Sequence, residues 1–127
     1  MRKLNGMFLV AAMTLCPVAG RAADDVMAGY YSNTVVVTVP NMGTFKTEYA
    51  PDHSYKSTGP FGASVGTWAY ADGKVCRTQT EPTPPPGFPN PICDSAEAHQ
   101  PGDSWQIEAM GQKFDAKMLA GDQLNAP

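Results

Sequence analysis

Alternation of polar and apolar residues, broken by turn pairs, is the feature that most limits what this chain can fold into. Beyond Ala23 no window carries a helical repeat. Runs of period two recur instead, and period two marks strands with one buried face. Near the C-terminus the sequence reads SWQIEAM, GQ, KFDAKM. With Gly111-Gln112 as a two-residue turn, Met110 faces Lys113, Ala109 faces Phe114, Ile107 faces Ala116 and Trp105 faces Met118. The apolar residues then share one face, while Gln106, Glu108, Asp115 and Lys117 share the other. A slip of one residue would turn all of them over.

Two further hairpins follow the same logic. TVVVTVP and TFKTEYA flank Asn41-Met42-Gly43. A three-residue loop with Gly43 left-handed sets Val39 opposite Phe45, Val37 opposite Thr47 and Val35 opposite Tyr49. Asp72-Gly73 is a strong turn pair. It matches Ala71 with Lys74, Tyr70 with Val75, Ala69 with Cys76 and Trp68 with Arg77. Trp68, Tyr70 and Val75 form an apolar face, and Cys76 points away from it. Arg77 either stacks on the Trp68 indole or runs its stem out past the sheet edge. A strand over Ser54 to Thr58 is expected as well. The sum is an all-β, small antiparallel up-and-down meander or barrel-like domain of six to eight short strands. The tail 120–127, AGDQLNAP, reads as frayed.

The first residues set the compartment. Arg2 and Lys3 precede a short apolar run, Met7 to Leu15, with Pro17 after it and Gly20-Arg21-Ala22 as a small-residue cleavage site. This is the layout of a secretory signal peptide over residues 1–22, too short in its apolar part to span a bilayer. A lipid anchor on Cys16 is the competing reading, but Met13 and Leu15 stand where a lipobox wants leucine and a small residue. Cleavage near Ala22 or Ala23 leaves one domain, 23–127, in the periplasm or outside the cell. It also removes one of the three cysteines and leaves Cys76 and Cys93, an even pair that reads as a disulfide in an oxidising compartment.

Between these cysteines lies the loop 81–91, in which six of the ten residues from Pro82 to Pro91 are proline. Such a segment favours polyproline II and cannot join a central strand. A disulfide would pin its two ends to one sheet edge. Cleavage leaves six basic residues against twelve acidic ones, a net charge of −6. The six are scattered, which argues against nucleic acid as a partner.

The order Ser32-Asn33-Thr34, PDHSYKST, GTW, an aspartate–glycine turn, KVC and a second cysteine resembles that of short exported bacterial proteins of uncharacterised function. Their pattern runs DGTY, GTW, DGKLC, C. The resemblance covers Ser32 to Gln106 and implies a lipocalin-like (calycin-like) meander. It implies no catalytic residues. The chain departs from the pattern at Pro51-Asp52-His53, where an aspartate–glycine turn is usual, and in its proline-rich loop. Trp68 lies mid-chain, so it does not stand for the tryptophan near the start of a lipocalin barrel.

Catalytic and metal motifs are sparse. Gly62-Ala63-Ser64-Val65-Gly66 matches G-x-S-x-G, but a strand follows it where a nucleophile elbow needs a helix. Asp24-Asp25 and Asp94 with Glu97 lack the spacing of a calcium loop. Met42, Met110 and Met118 suggest no copper site, His53 and His99 stand alone in polar surroundings, and no cofactor motif is present. Two functions therefore compete. One is a non-enzymatic cell-envelope binding module whose Phe45, Tyr49, Trp68, Tyr70, Trp105 and Phe114 line a core or pocket for a small apolar ligand. The other is a protein-binding or inhibitory module that uses loop 81–90, with Pro84, Pro85, Pro86 and Phe88 as its contact. A small hydrolase through Ser64 is a remote third.

Overall fold

The computed structural model describes residues 23–125. Residues 1–22, including Cys16, lie outside the described residues. A short helix α1 (Ala23–Met27) and a 3-10 turn (Ala28–Tyr30) lead into eight strands. These are β1 (Asn33–Val39), β2 (Gly43–Tyr49), β3 (Ser54–Gly59), β4 (Gly62–Ala71), β5 (Lys74–Glu81), β6 (Ile92–Ser95), β7 (Ser104–Ala109) and β8 (Gln112–Ala120). Each strand pairs antiparallel with the next, and β8 returns to β1 to close an up-and-down barrel. The helix escaped the sequence reading because five residues make little more than one turn, too few for a repeat of 3.6 to register.

The middle hairpin has the expected register, from Ala71 with Lys74 to Trp68 with Arg77. Asp72 and Gly73 both have positive φ, 54° and 76°, as a type I′ turn requires. The other two hairpins differ from expectation by two residues in pairing. The β7–β8 turn is Met110-Gly111, at φ 53° and 76°, so Ile107 faces Phe114 and Trp105 faces Ala116. Here glycine takes the second turn position, as in Asp72-Gly73, and not the first. In the β1–β2 hairpin the loop is Pro40-Asn41-Met42, with Asn41 left-handed at φ 65°; Val37 faces Phe45 and Val35 faces Thr47. A shift of two preserves the side-chain alternation, so the faces stand as expected even where the partners change.

Gly66 explains the one irregularity between β4 and β5. Val65 faces Glu81 but Gly66 faces Gln79, which leaves Thr80 as the extra residue of a bulge. A Cβ on Gly66 would fall on the Thr78 carbonyl and crowd the Tyr55 ring.

One end of the barrel is sealed by the N-terminal segment. Val26, Met27 and Tyr30 are buried, and the Tyr30 hydroxyl donates to the Glu97 carbonyl at 2.7 Å. Gly29 lets this segment approach closely, because a Cβ there would strike the His99 carbonyl. The tail is not frayed over its described part. Gly121 donates to the Asn33 side chain at 3.0 Å and its carbonyl accepts from Thr34 at 2.8 Å; Thr58 donates to the Leu124 carbonyl at 3.2 Å. Sequence polarity had hidden these backbone partners.

Cys76 and Cys93 face each other directly across β5 and β6 and are bonded, with Cα atoms 3.9 Å apart. The Asn90 side chain adds a second clamp, accepting from the Gln79 N–H at 2.8 Å and donating to its carbonyl at 3.2 Å. The proline-rich loop is thus held at both ends. Replacing both cysteines by alanine should lower unfolding free energy by about 3 kcal/mol in urea melts, and reductant should do the same to the wild type; unchanged midpoints would contradict this. Gly66→Ala should cost more than an ordinary strand substitution, about 2 kcal/mol or more, because backbone must move.

Candidate functional site: a barrel cavity

Alternation aims every second side chain of each strand into the barrel. These side chains do not fill it. They enclose a cavity of about 510 Å³, lined chiefly by apolar residues. Val35, Val37 and Val39 come from β1, Phe45 and Tyr49 from β2, Ile107 and Ala109 from β7, and Phe114 from β8. Tyr30 of the N-terminal segment lines it too, at the sealed end.

The opposite end carries the connections β1–β2, β3–β4, β5–β6 and β7–β8. Met42, Phe61, Phe88 and Met110, one from each, are among the exposed large hydrophobic residues, and all four also line the cavity. The cavity therefore opens through an apolar rim. Among the six aromatic residues singled out from sequence, Phe45, Tyr49, Trp105 and Phe114 line the cavity. Trp68 does not: it is buried in the core at the closed end, with Tyr70 packed against that core. Phe88 and Pro89 of the proline-rich loop belong to the cavity lining, whereas Pro84, Pro85 and Pro86 do not line it.

Arg77 departs from both sequence expectations. It neither stacks on Trp68 nor leaves the sheet. It points inward, and its Nη2 donates to Asp94 Oδ2 at 2.9 Å, with Cζ 6.0 Å from the centre of the Tyr55 ring. The disulfide sets this up: Arg77 follows Cys76 and Asp94 follows Cys93, so antiparallel pairing places them diagonally on the inner face. Burial works against the Arg77 charge, but Tyr49 and Asp94 hold its pKa above the ordinary value. Burial also pushes the Asp94 carboxyl up, with Arg77 pulling it back. The partner of the Asp94 carboxylate is thus Arg77, while Glu97 offers its backbone carbonyl to Tyr30.

The remaining polar lining is largely self-contained. Thr47 and Ser57 hydroxyls lie 3.0 Å apart, and Ser57 donates to the Lys46 carbonyl. Ser64 sits within β4, paired with Ser57 and not on a strand-to-helix elbow. Met42 and Met110 occupy separate hairpin tips, while Met118 is buried in the core.

Neither histidine stands alone. His53 stacks on Trp68 with ring centroids 4.1 Å apart and planes at 9°; His99 stacks on Trp105 at 3.6 Å and 11°. Trp68 satisfies its indole on the Ala50 carbonyl at 3.0 Å. His99 is further held by Asp103 at 3.2 Å; the Gln100 N–H, and after it His99, keeps the Asp103 carboxyl below its usual range. The β3–β4 hairpin brings His53 to Trp68, and the β6–β7 loop folds His99 back onto Trp105 six residues on; strand alternation carries no sign of either stack.

Among the described residues no helix is long and apolar enough to cross a membrane. The chain matches no family model, no curated protein and no solved structure.

Asp94→Ala leaves a buried guanidinium without its carboxylate and should destabilise the fold by about 3–5 kcal/mol. Arg77→Met combined with Asp94→Leu should recover most of that loss in the same denaturation measurement. If the double variant were as unstable as the single one, the pair would not be the source of the cost.

Proposed function

We propose that this chain is an exported, non-enzymatic module of the cell envelope that holds a small apolar ligand inside its barrel, in the manner of the lipocalin-like proteins its sequence resembles. The observation that carries the reading is the apolar cavity of about 510 Å³ open at one rim. That volume falls within the few hundred to about 1,000 Å³ usual for small-molecule sites. An unfilled apolar interior gives up packing contacts, and a ligand of matching shape restores them. The disulfide accords with an oxidising, exported location.

A protein-binding role for loop 81–90 ranks second. Phe88 lines the cavity mouth, so the loop's apolar tip is better accounted for as part of the rim.

Titration with the neutral dye Nile red tests the reading. Dye emission should rise and intrinsic tryptophan emission should fall, the latter through Trp105, which lines the cavity, and not through Trp68, which does not. Val37→Phe, which fills the cavity, should weaken dye binding about tenfold or more while the protein still melts cooperatively. No change in either emission with the wild type would overturn the proposal.

A further inference from the structure

If the barrel interior is a ligand site, as proposed above, one pair of side chains in its wall defines what the ligand carries. Among the described residues, Arg77 and Asp94 are the only charged ones lining the cavity. A guanidinium has five N–H donors and a carboxylate has several acceptor sites. Arg77 makes one side-chain hydrogen bond, from Nη2 to Asp94, and Asp94 accepts that same one. Neither side chain is fully covered, with 18% and 10% of their surfaces left open. The pair therefore presents unused donors and unused acceptor sites to a largely apolar space. Of the other polar lining groups, Thr47 is paired with Ser57 and Asn90 is engaged by Gln79, while the Trp105 indole N–H is a buried donor without a partner, a second point that an accepting head could reach.

Charge decides the kind of head group. Asp94 neutralises Arg77 at 2.9 Å, and among the described residues no second cation or anion lines the cavity. An anionic head would bring an unbalanced charge into a largely apolar space, next to the Asp94 carboxylate. A cationic head would do the same next to Arg77. Burying an unpaired charge is costly, whereas a neutral polar group that is hydrogen-bonded is tolerated. A group that only accepts would leave Asp94 unserved, and one that only donates would leave Arg77 unserved.

We infer that the cavity takes a neutral amphiphile whose head both accepts and donates, a hydroxyl or a primary carboxamide, accepting from Arg77 and donating to Asp94, with its apolar body against the valines and phenylalanines of the wall. One such head satisfies both members of the pair without altering the net charge.

The test is competition of decan-1-ol, its methyl ether and decanoate against Nile red at pH 7.5. The alcohol donates and accepts, the ether only accepts, and decanoate is charged. The expected result is that the alcohol competes about tenfold more tightly than either, the size of one hydrogen bond made or missed. In Arg77→Met with Asp94→Leu, the alcohol and ether should become equal while dye binding persists. The wild-type series stands without any variant, so a poorly folded variant does not weaken it. Equal binding of alcohol and ether by the wild type, with dye still bound, overturns the head-group assignment and leaves the cavity's binding role intact. Tighter binding of decanoate overturns it in favour of an anion site. Failure of the dye and all three probes to bind overturns the binding role itself.

Discussion

The pairing of β1 with β8 is the contact on which the rest depends. Six residue pairs, from Asn33 with Ala120 to Thr38 with Asp115, join the two strands that lie farthest apart in sequence. Closure removes the free edges that an open eight-stranded meander would expose. It also turns an inner face into an interior. Left open, Val37, Phe45, Ile107 and Phe114 would be a greasy sheet surface; closed, they are a cavity wall. Buried Thr34 reinforces the seam by bonding the tail that follows β8, donating to Gly121 and accepting from the Gln123 N–H at 2.9 Å.

Closure is asymmetric, and the asymmetry gives the barrel a direction. One end is stopped by Met27, Val26 and Tyr30, with the two histidine–tryptophan stacks fastening the β2–β3 turn and the β6–β7 loop. Tyr30 meets Tyr49 and Trp105 edge-on, at 5.8 and 6.4 Å between ring centres, so the plug and the walls are packed as one unit. The other end carries hairpin tips whose large apolar side chains are left in the open. A core that sought only stability would bury Phe61, which is 76% exposed. The same four tips line the cavity, so rim and interior form one continuous apolar surface.

Much of this architecture was legible because strand alternation is a local property. The faces of β7 and β8 follow from Ile107, Ala109, Phe114 and Ala116 whichever register is chosen. Register is less local: Met110-Gly111 and Gly111-Gln112 both look like turns, and only the positive φ at both central residues of the hairpin separates them. The inner pair was legible in part. The cysteines fix how β5 meets β6, and from there Asp94 falls beside Arg77, yet sequence proximity to Trp68 suggested a nearer partner. The plug, the aromatic stacks and the cavity itself were not legible. α1 is too short to show periodicity, the stacking partners are brought together by folding, and whether inward side chains fill a barrel depends on its diameter, which no local pattern encodes.

The barrel is closed, and its own side chains leave its apolar interior unfilled. Xenon occupies dry apolar cavities and leaves packed cores alone. A crystal structure under xenon pressure would show whether that interior is empty. Ordered xenon is expected inside the barrel, in contact with Val37, Phe45, Ile107 and Phe114. A barrel whose aromatic side chains have closed over the centre, with xenon absent there, would contradict it.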